Sequence, residues 1–233
     1  MPKIKVIYEN NLKGRGLKAA WGFSALIEFN GKKILFDAGG DKEIFTNNLR
    51  QLGIKPAELD FISISHKHWD HIAGLSSVLL PKHRAYLLKS FPDRFKKNVT
   101  KRGAKLFEVV RFKKIMPDVY TTGALPGKVE EQSLIIDSGK GLVIVTGCSH
   151  PGIVNIVRFA QQKLGEKIRL VLGGFHLYQS SALQIRQIIK DLKSLGVKKI
   201  APCHCTGKKA IRLFQQAFDN DFVEIKACSL SNL

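Results

Sequence analysis

The stretch His66-Lys67-His68-Trp69-Asp70-His71 decides how this 233-residue chain is read. It follows a short apolar run, residues 61–65, that predicts a buried strand. In an extended loop His66 and His68 project to the same side, so one cation can take both imidazoles. Asp70 and His71 then face a neighbouring point, which suits a second ion. Neutral imidazole and carboxylate are ligands of zinc, iron and manganese.

Working outward, three more histidines stand just past apolar runs with strand character. His150 closes Thr146-Gly147-Cys148-Ser149-His150, His176 closes Gly173-Gly174-Phe175-His176, and His204 sits in Pro202-Cys203-His204-Cys205. The runs before them are residues 142–145, 168–172 and 199–201. Loops at the C-terminal ends of strands in an α/β fold converge on a site. Six of the seven histidines lie in four such motifs, and that placement predicts a metal centre. The seventh, His83, is expected to be a hydrogen-bonded core or surface residue. Cys203 and Cys205 flank His204, and in a strand-like segment they would point away from it, so burial is expected, with a ligand role as the lesser alternative. Gly147 and Gly173-Gly174 read as tight strand-to-loop turns.

The remaining pattern places these motifs in a fold. Strands are expected at 3–8, 24–29, 33–36, 85–88, 134–137 and 142–146, with Asn30-Gly31 as a hairpin turn. Helical spacing covers 43–52, 153–164, 182–195 and 208–218, with Gly53 and Gly196 as terminators. Two blocks of strands, each followed by strand–helix units, predict a mixed α/β sandwich with helices outside two sheets. No segment has linker composition, so one domain over residues 1–233 is expected.

Lys and Arg number 38 against 19 Asp and Glu, a net charge of +19, and hydrophobic residues make up 44%. That apolar content over this length excludes a disordered, collagen-like or coiled-coil chain. No run of about 18 apolar residues occurs, so nothing is expected to span a bilayer. Met1-Pro2-Lys3-Ile4-Lys5 leads straight into a strand pattern without a signal core, which predicts a cytoplasmic protein. Cys148, Cys203, Cys205 and Cys228 contain no C-x-x-C pair and read as reduced thiols.

Residues 82–114 hold twelve Lys or Arg against Asp93 and Glu108, interleaved with Phe91, Phe95, Phe107 and Phe112. Such a run is either a solvated face or the lining of a pocket for an anionic aromatic ligand. On the second reading Arg94, Lys96 and Lys97 bind substrate and Trp69 stacks on it.

The whole pattern resembles the metallo-β-lactamase superfamily. Leu35-Phe36-Asp37-Ala38-Gly39 is similar to its first motif, the loop 66–71 to its second, His150 to its third and His204 to its last. Gly173-Gly174-Phe175-His176-Leu177 and Pro202-Cys203-His204-Cys205-Thr206-Gly207 resemble the subgroup named for the dihydropterin ribofuranosylaminobenzene phosphate synthase of methanopterin biosynthesis. The resemblance implies a four-layer αβ/βα sandwich with two divalent ions, zinc first and manganese or iron as alternatives. His66, His68 and His150 would hold one ion and Asp70, His71 and His204 the other, with Asp37 orienting the histidine loop. Many members carry a bridging Asp where this chain has His176. Either His176 then ligates or hydrogen-bonds at the site, or only one metal position is filled tightly; outside the ligand set, His176 would be a donor to substrate.

The activity so implied is hydrolytic. Water on the metal attacks an anionic small molecule, phosphorylated or pterin-like, with Asp70 and His176 as catalytic residues. Taken literally, the subgroup name implies transfer of a pterin-methyl group with loss of diphosphate. Two alternatives stand beside this: a nuclease or phosphodiesterase acting on RNA or DNA, and an iron-dependent redox protein of the same fold. The sequence leaves the oligomeric state open.

Overall fold

The computed structural model describes residues 1–225, and Cys228 lies outside the described residues. The chain divides into two compact units, one within residues 1–110 and the other over 111–225.

The first unit is built on one six-stranded sheet. Strand β1 (Lys3–Tyr8) runs antiparallel to β2 (Ser24–Phe29), which pairs antiparallel with β3 (Lys32–Phe36). The β2–β3 turn is Asn30-Gly31, both at positive φ (49° and 71°), as the twist of a two-residue hairpin requires. Helix α1 (Lys42–Gln51) starts at Asp41, whose carboxylate accepts the Ile44 N–H. The sheet then turns parallel through β4 (Phe61–Ser63), β5 (Arg84–Leu88) and β6 (Lys105–Val109). One short helix, α2 (Trp69–Ile72), follows β4, and α3 (Asp93–Lys101) links β5 to β6. β4 stops two residues short of the expected 61–65. Beyond Ser63 the Ser65 N–H is donated to the Asp37 side chain rather than to a neighbouring strand.

The second unit repeats the change from antiparallel to parallel. β7 (Arg111–Met116), β8 (Val119–Gly123), β9 (Leu134–Asp137) and β10 (Leu142–Thr146) form an antiparallel meander. β11 (Ile168–Gly174) and β12 (Lys199–Cys203) then add in parallel. Helices α4 (Ile153–Leu164), α5 (Ala182–Ser194) and α6 (Lys208–Phe218) pack Ile156, Val157, Ile185, Leu192, Phe214 and Phe218 against Ile144, Val171 and Ile200 of the sheet. Each such aliphatic or aromatic side chain contributes about 1.5–3 kcal/mol by leaving water. Ser181 and Gln184 form a reciprocal cap at the start of α5.

The histidine motifs follow β4 in the first unit and β10, β11 and β12 in the second. Strands β6 and β7 and helix α3 were not legible in the sequence, because the dense charge of residues 82–114 hides their apolar faces; β8, a short strand beyond that run, was missed as well. No helix among the described residues is long and apolar enough to cross a membrane.

Candidate metal centre

In the first unit the site is organised by Asp37, just after β3, in a left-handed backbone conformation (φ 60°). Asp37 Oδ1 accepts the Ser65 N–H at 2.7 Å, and Oδ2 accepts the Ser65 hydroxyl at 2.7 Å. His71 Nδ1 also lies 2.7 Å from Oδ2, so His71 donates there. Asp37, Ser65, His66 and His71 are all fully buried. The one hydroxyl proton of Ser65 goes to Asp37, so its oxygen accepts from His66 Nδ1 at 2.9 Å. Both imidazoles are therefore protonated on Nδ1 and carry their lone pair on Nε2.

The neighbours of these rings are ligand types too. The His66 ring centre is 4.6 Å from that of His68 and 4.3 Å from that of His71. His71 Nε2 is 3.7 Å from Asp70 Oδ2, which also accepts the Trp21 indole N–H at 2.9 Å. This donor set fits a divalent cation: tautomers fixed by a carboxylate behind the ring are how proteins aim metal-binding histidines.

In the second unit an acidic residue absent from the sequence reading, Glu131, shapes the loop that bears His150. Its carboxylate is buried and accepts the N–H groups of Gly147 (3.0 Å), Cys148 (2.9 Å) and Ser149 (2.9 Å) on Oε1 and of His150 (2.9 Å) on Oε2. The Thr146 hydroxyl adds a further bond to Oε1 at 3.1 Å. Backbone amides turned onto one oxygen make an anion nest, and here the anion is the protein's own. Glu131 is sixteen residues before the loop it holds, in a segment with no apolar periodicity, so no local signal marked it.

The other second-unit motifs meet at the same strand ends. At Gly173 (φ 130°) a Cβ would run into the Thr146 carbonyl, so β10 and β11 approach closely only without side chains there. His176 (φ 52°) sets its ring 4.5 Å from that of His150, the two planes tilted by 56°. Its Nδ1 is buried and carries no hydrogen bond, a nitrogen that a ligand would satisfy. The nearby Cys205 sulfur raises the His176 pKa against the opposing effect of burial.

Cys148, Cys203 and Cys205 are buried and form no disulfide among the described residues. Cys205 does not simply point away from the motif as strand alternation would have it. His204–Thr206 is a single 3-10 turn with His204 at φ 45°, and this rotates Cys205 Sγ onto the Cys148 carbonyl (3.6 Å) and the His176 N–H (3.3 Å). Burial would raise the Cys205 pKa, but hydrogen bonds with Cys148 and His176 and the charges of His204 and His176 bring it well below the usual thiol value. Cys148 Sγ lies 3.4 Å from His204 Nε2.

The expected substrate residues divide. Trp69 is exposed and lines a cleft of about 390 Å³ with Ile72, Leu75, Leu79, Phe95 and Val99. Arg102 and Asn98 supply polar groups there. Arg94, Lys96 and Lys97 are not among its lining residues. Arg94 and Lys97 are exposed, while Lys96 pairs with Asp93 (2.9 Å) and Glu108 (2.7 Å). Of the four phenylalanines in the basic run only Phe95 reaches this cleft, because Phe91 is buried, Phe107 stacks on Tyr86 and Phe112 on Tyr120. His83 is buried and satisfied at both nitrogens, accepting the Leu80 N–H (3.2 Å) and donating to the Pro56 carbonyl (3.0 Å).

Comparison with known proteins gives the family. A family model described as anti-Pycsar protein Apyc1 matches residues 17–92. The 7,8-dihydropterin-6-methyl-4-(β-D-ribofuranosyl)-aminobenzene-5′-phosphate synthase of Methanocaldococcus jannaschii is 33% identical over 88% of this chain and 87% of its own. An uncharacterized protein of the same organism is 34% identical over 94% of this chain and 96% of its own. Among solved structures, a metal-dependent hydrolase of the β-lactamase superfamily superimposes with a TM-score of 0.86 at 29% identity, covering 99% of both chains. That likeness meets the fold expectation of mixed α/β, metallo-β-lactamase-like architecture. With two six-stranded sheets and histidine motifs at the ends of their parallel strands, the chain belongs to the metallo-β-lactamase superfamily, in the subgroup of the dihydropterin synthase relative.

Proposed function

We propose that this protein is a metal-dependent enzyme of hydrolase type acting on a small anionic substrate, phosphorylated or pterin-like, and that residues 1–233 work as one functional domain. His66, His68 and His150 serve one divalent ion and Asp70, His71 and His204 the other, the allocation that superfamily membership implies. Zinc is the first choice for both. When bound, such ions supply Lewis acidity and bring the pKa of water toward neutrality.

The observation that carries this reading is the buried Asp37–Ser65 pair. It holds the Nδ1 protons of His66 and His71 away from the nitrogens that ligate. Asp70 is oriented by Trp21 and positions the nucleophile. His176, beside His150, offers its ring to substrate. The Trp69 face stacks on a planar group in the cleft, with Arg102 toward the anionic end. The pterin-related name of the relative favours a pterin-like ring among the candidates.

The test is elemental analysis of protein purified without chelator, followed by turnover assays on phosphoesters and pterin-methyl diphosphates. Two equivalents of metal and turnover of an anionic small molecule are expected. A chain that takes up no metal sinks the proposal. His176→Ala is expected to keep both equivalents and raise KM; loss of one equivalent would make His176 a ligand instead.

A further inference from the structure

The superfamily's fourth motif often carries a bridging carboxylate, and this chain has Gly173-Gly174-Phe175-His176 there. Two cations held mostly by neutral imidazoles lack an anion between them. The second unit contains a candidate replacement that the ligand set above does not use. Cys148 is 3% exposed, and its Sγ stands 3.4 Å from His204 Nε2. Sulfur and nitrogen bound to one tetrahedral zinc at about 2.3 Å and about 2.0–2.1 Å lie about 3.6 Å apart. The two atoms are thus already spaced as neighbouring corners of one coordination shell.

The backbone on both sides is bent to reach this arrangement. Ser149, directly after Cys148, has φ 60°, and His204 has φ 45°. Left-handed conformations at non-glycine residues cost about 1–3 kcal/mol each and persist where the surroundings enforce them. The enforcement is visible: Glu131 accepts the N–H groups of both Cys148 and Ser149, and the Ser149 hydroxyl donates to the Gly174 carbonyl at 2.6 Å. The thiol is not isolated either, since the ligand atoms of Cys148, His176 and Cys205 all lie within 4.8 Å of one another.

We propose that Cys148, as thiolate, is a ligand of the same ion as His204 and supplies the negative charge that the fourth motif lacks. The inference rests on the reading of His204 as a metal ligand. On binding, the Cys148 proton passes to solvent and the sulfur lone pair goes to the cation, with no change of oxidation state. The competing description is a neutral S–H···N hydrogen bond between Cys148 and His204.

Cobalt(II) substitution of the full chain separates the two. A thiolate ligand gives an intense near-ultraviolet sulfur-to-cobalt charge-transfer band, whereas imidazole and carboxylate ligands give only the weak visible bands. The charge-transfer band is expected in the unaltered protein, absent in Cys148→Ser and retained in Cys205→Ser. Cys148→Ser should also weaken the second equivalent by about 100-fold or more, at or beyond the upper end of what losing an outer-shell partner costs. Cys148→Asp keeps an anionic donor, so it should hold two equivalents without the band and shows that the loss in Cys148→Ser is not misfolding. Visible bands without charge transfer, or a band that survives Cys148→Ser, would overturn the Cys148 assignment and leave the metal reading standing. Failure to bind cobalt at all would overturn both.

Discussion

Asp37 does three things with one carboxylate: it ends β4's pairing at Ser65, fixes the His71 tautomer and, through the Ser65 hydroxyl, fixes that of His66. An amide cannot accept at both positions, because one of its two atoms is a donor. Asp37→Asn is therefore expected to cost about 1–3 kcal/mol of stability from unsatisfied buried partners and about 10–100-fold in metal affinity. Urea unfolding and metal titration would check these separately, and unchanged affinity would remove Asp37 from the site. The histidines were legible at this scale because each sits beside the apolar run that positions it. Glu131 and Ser65 were not, since their roles consist of hydrogen bonds to groups brought near only by folding. Seven non-glycine residues have positive φ among the described residues, and Asp37, Ser149, His176 and His204 are four of them. Strain is concentrated where the motifs are, and no composition rule foretells it.

At the level of elements, the basic run 82–114 resolves into β5, α3, β6 and the start of β7, each with its own use of charge. β6 and β7 are the terminal strands of their sheets. Lys105, Lys113 and Lys114 on them are the kind of residue that keeps a sheet edge from pairing with another chain. α3 turns Phe95, Asn98, Val99 and Arg102 toward the Trp69 cleft, residues spaced three and four apart along one face. Arg94 and Lys97, chosen from the sequence because they are dense in charge, lie on other faces. Helical phase decides which cation can meet a ligand, and that phase was hidden by lysines on every side. For an anionic substrate, Arg102→Gln is expected to raise KM by about tenfold, the loss of one charge-assisted hydrogen bond, with little change in kcat. Lys97→Gln should leave KM within about twofold by the weakness of exposed charges. Steady-state kinetics on the two variants tests this, and the reverse ranking would return the substrate to the Arg94–Lys97 face.

For the molecule as a whole, the strand–helix alternation of the second unit was legible nearly to the residue: 134–137, 142–146, 153–164 and 208–218 reappear as β9, β10, α4 and α6. These elements bury one uninterrupted apolar face, and periodicity reports that directly. Global stability should carry the mark of His83. Burial holds its pKa below the ordinary 6.5, opposed by the bond to Pro56. The unfolded chain protonates this ring near pH 6.5 and the folded chain only at lower pH. Stability is thus complete above about pH 6.5 and declines as pH falls toward the folded pKa. His83→Gln keeps a donor for Pro56 and cannot titrate, so its urea midpoint should fall less between pH 7.5 and 5.5 than that of the unaltered protein. Equal falls would mean that the ring takes up its proton alike in the folded and unfolded chain, and would remove His83 from the pH dependence.

The carboxylate of Glu131 has one more consequence. Small zinc domains lose their shape on demetallation because the ion is the only thing their ligand loops converge on. Here the loop from Gly147 to His150 already converges on an internal anion, bound by four amides that need no cation to stay in place. Metal can therefore leave and return without this loop refolding, so a chelator should yield an empty but native protein, and exchange of one cation for another is a solution equilibrium rather than an event fixed at synthesis.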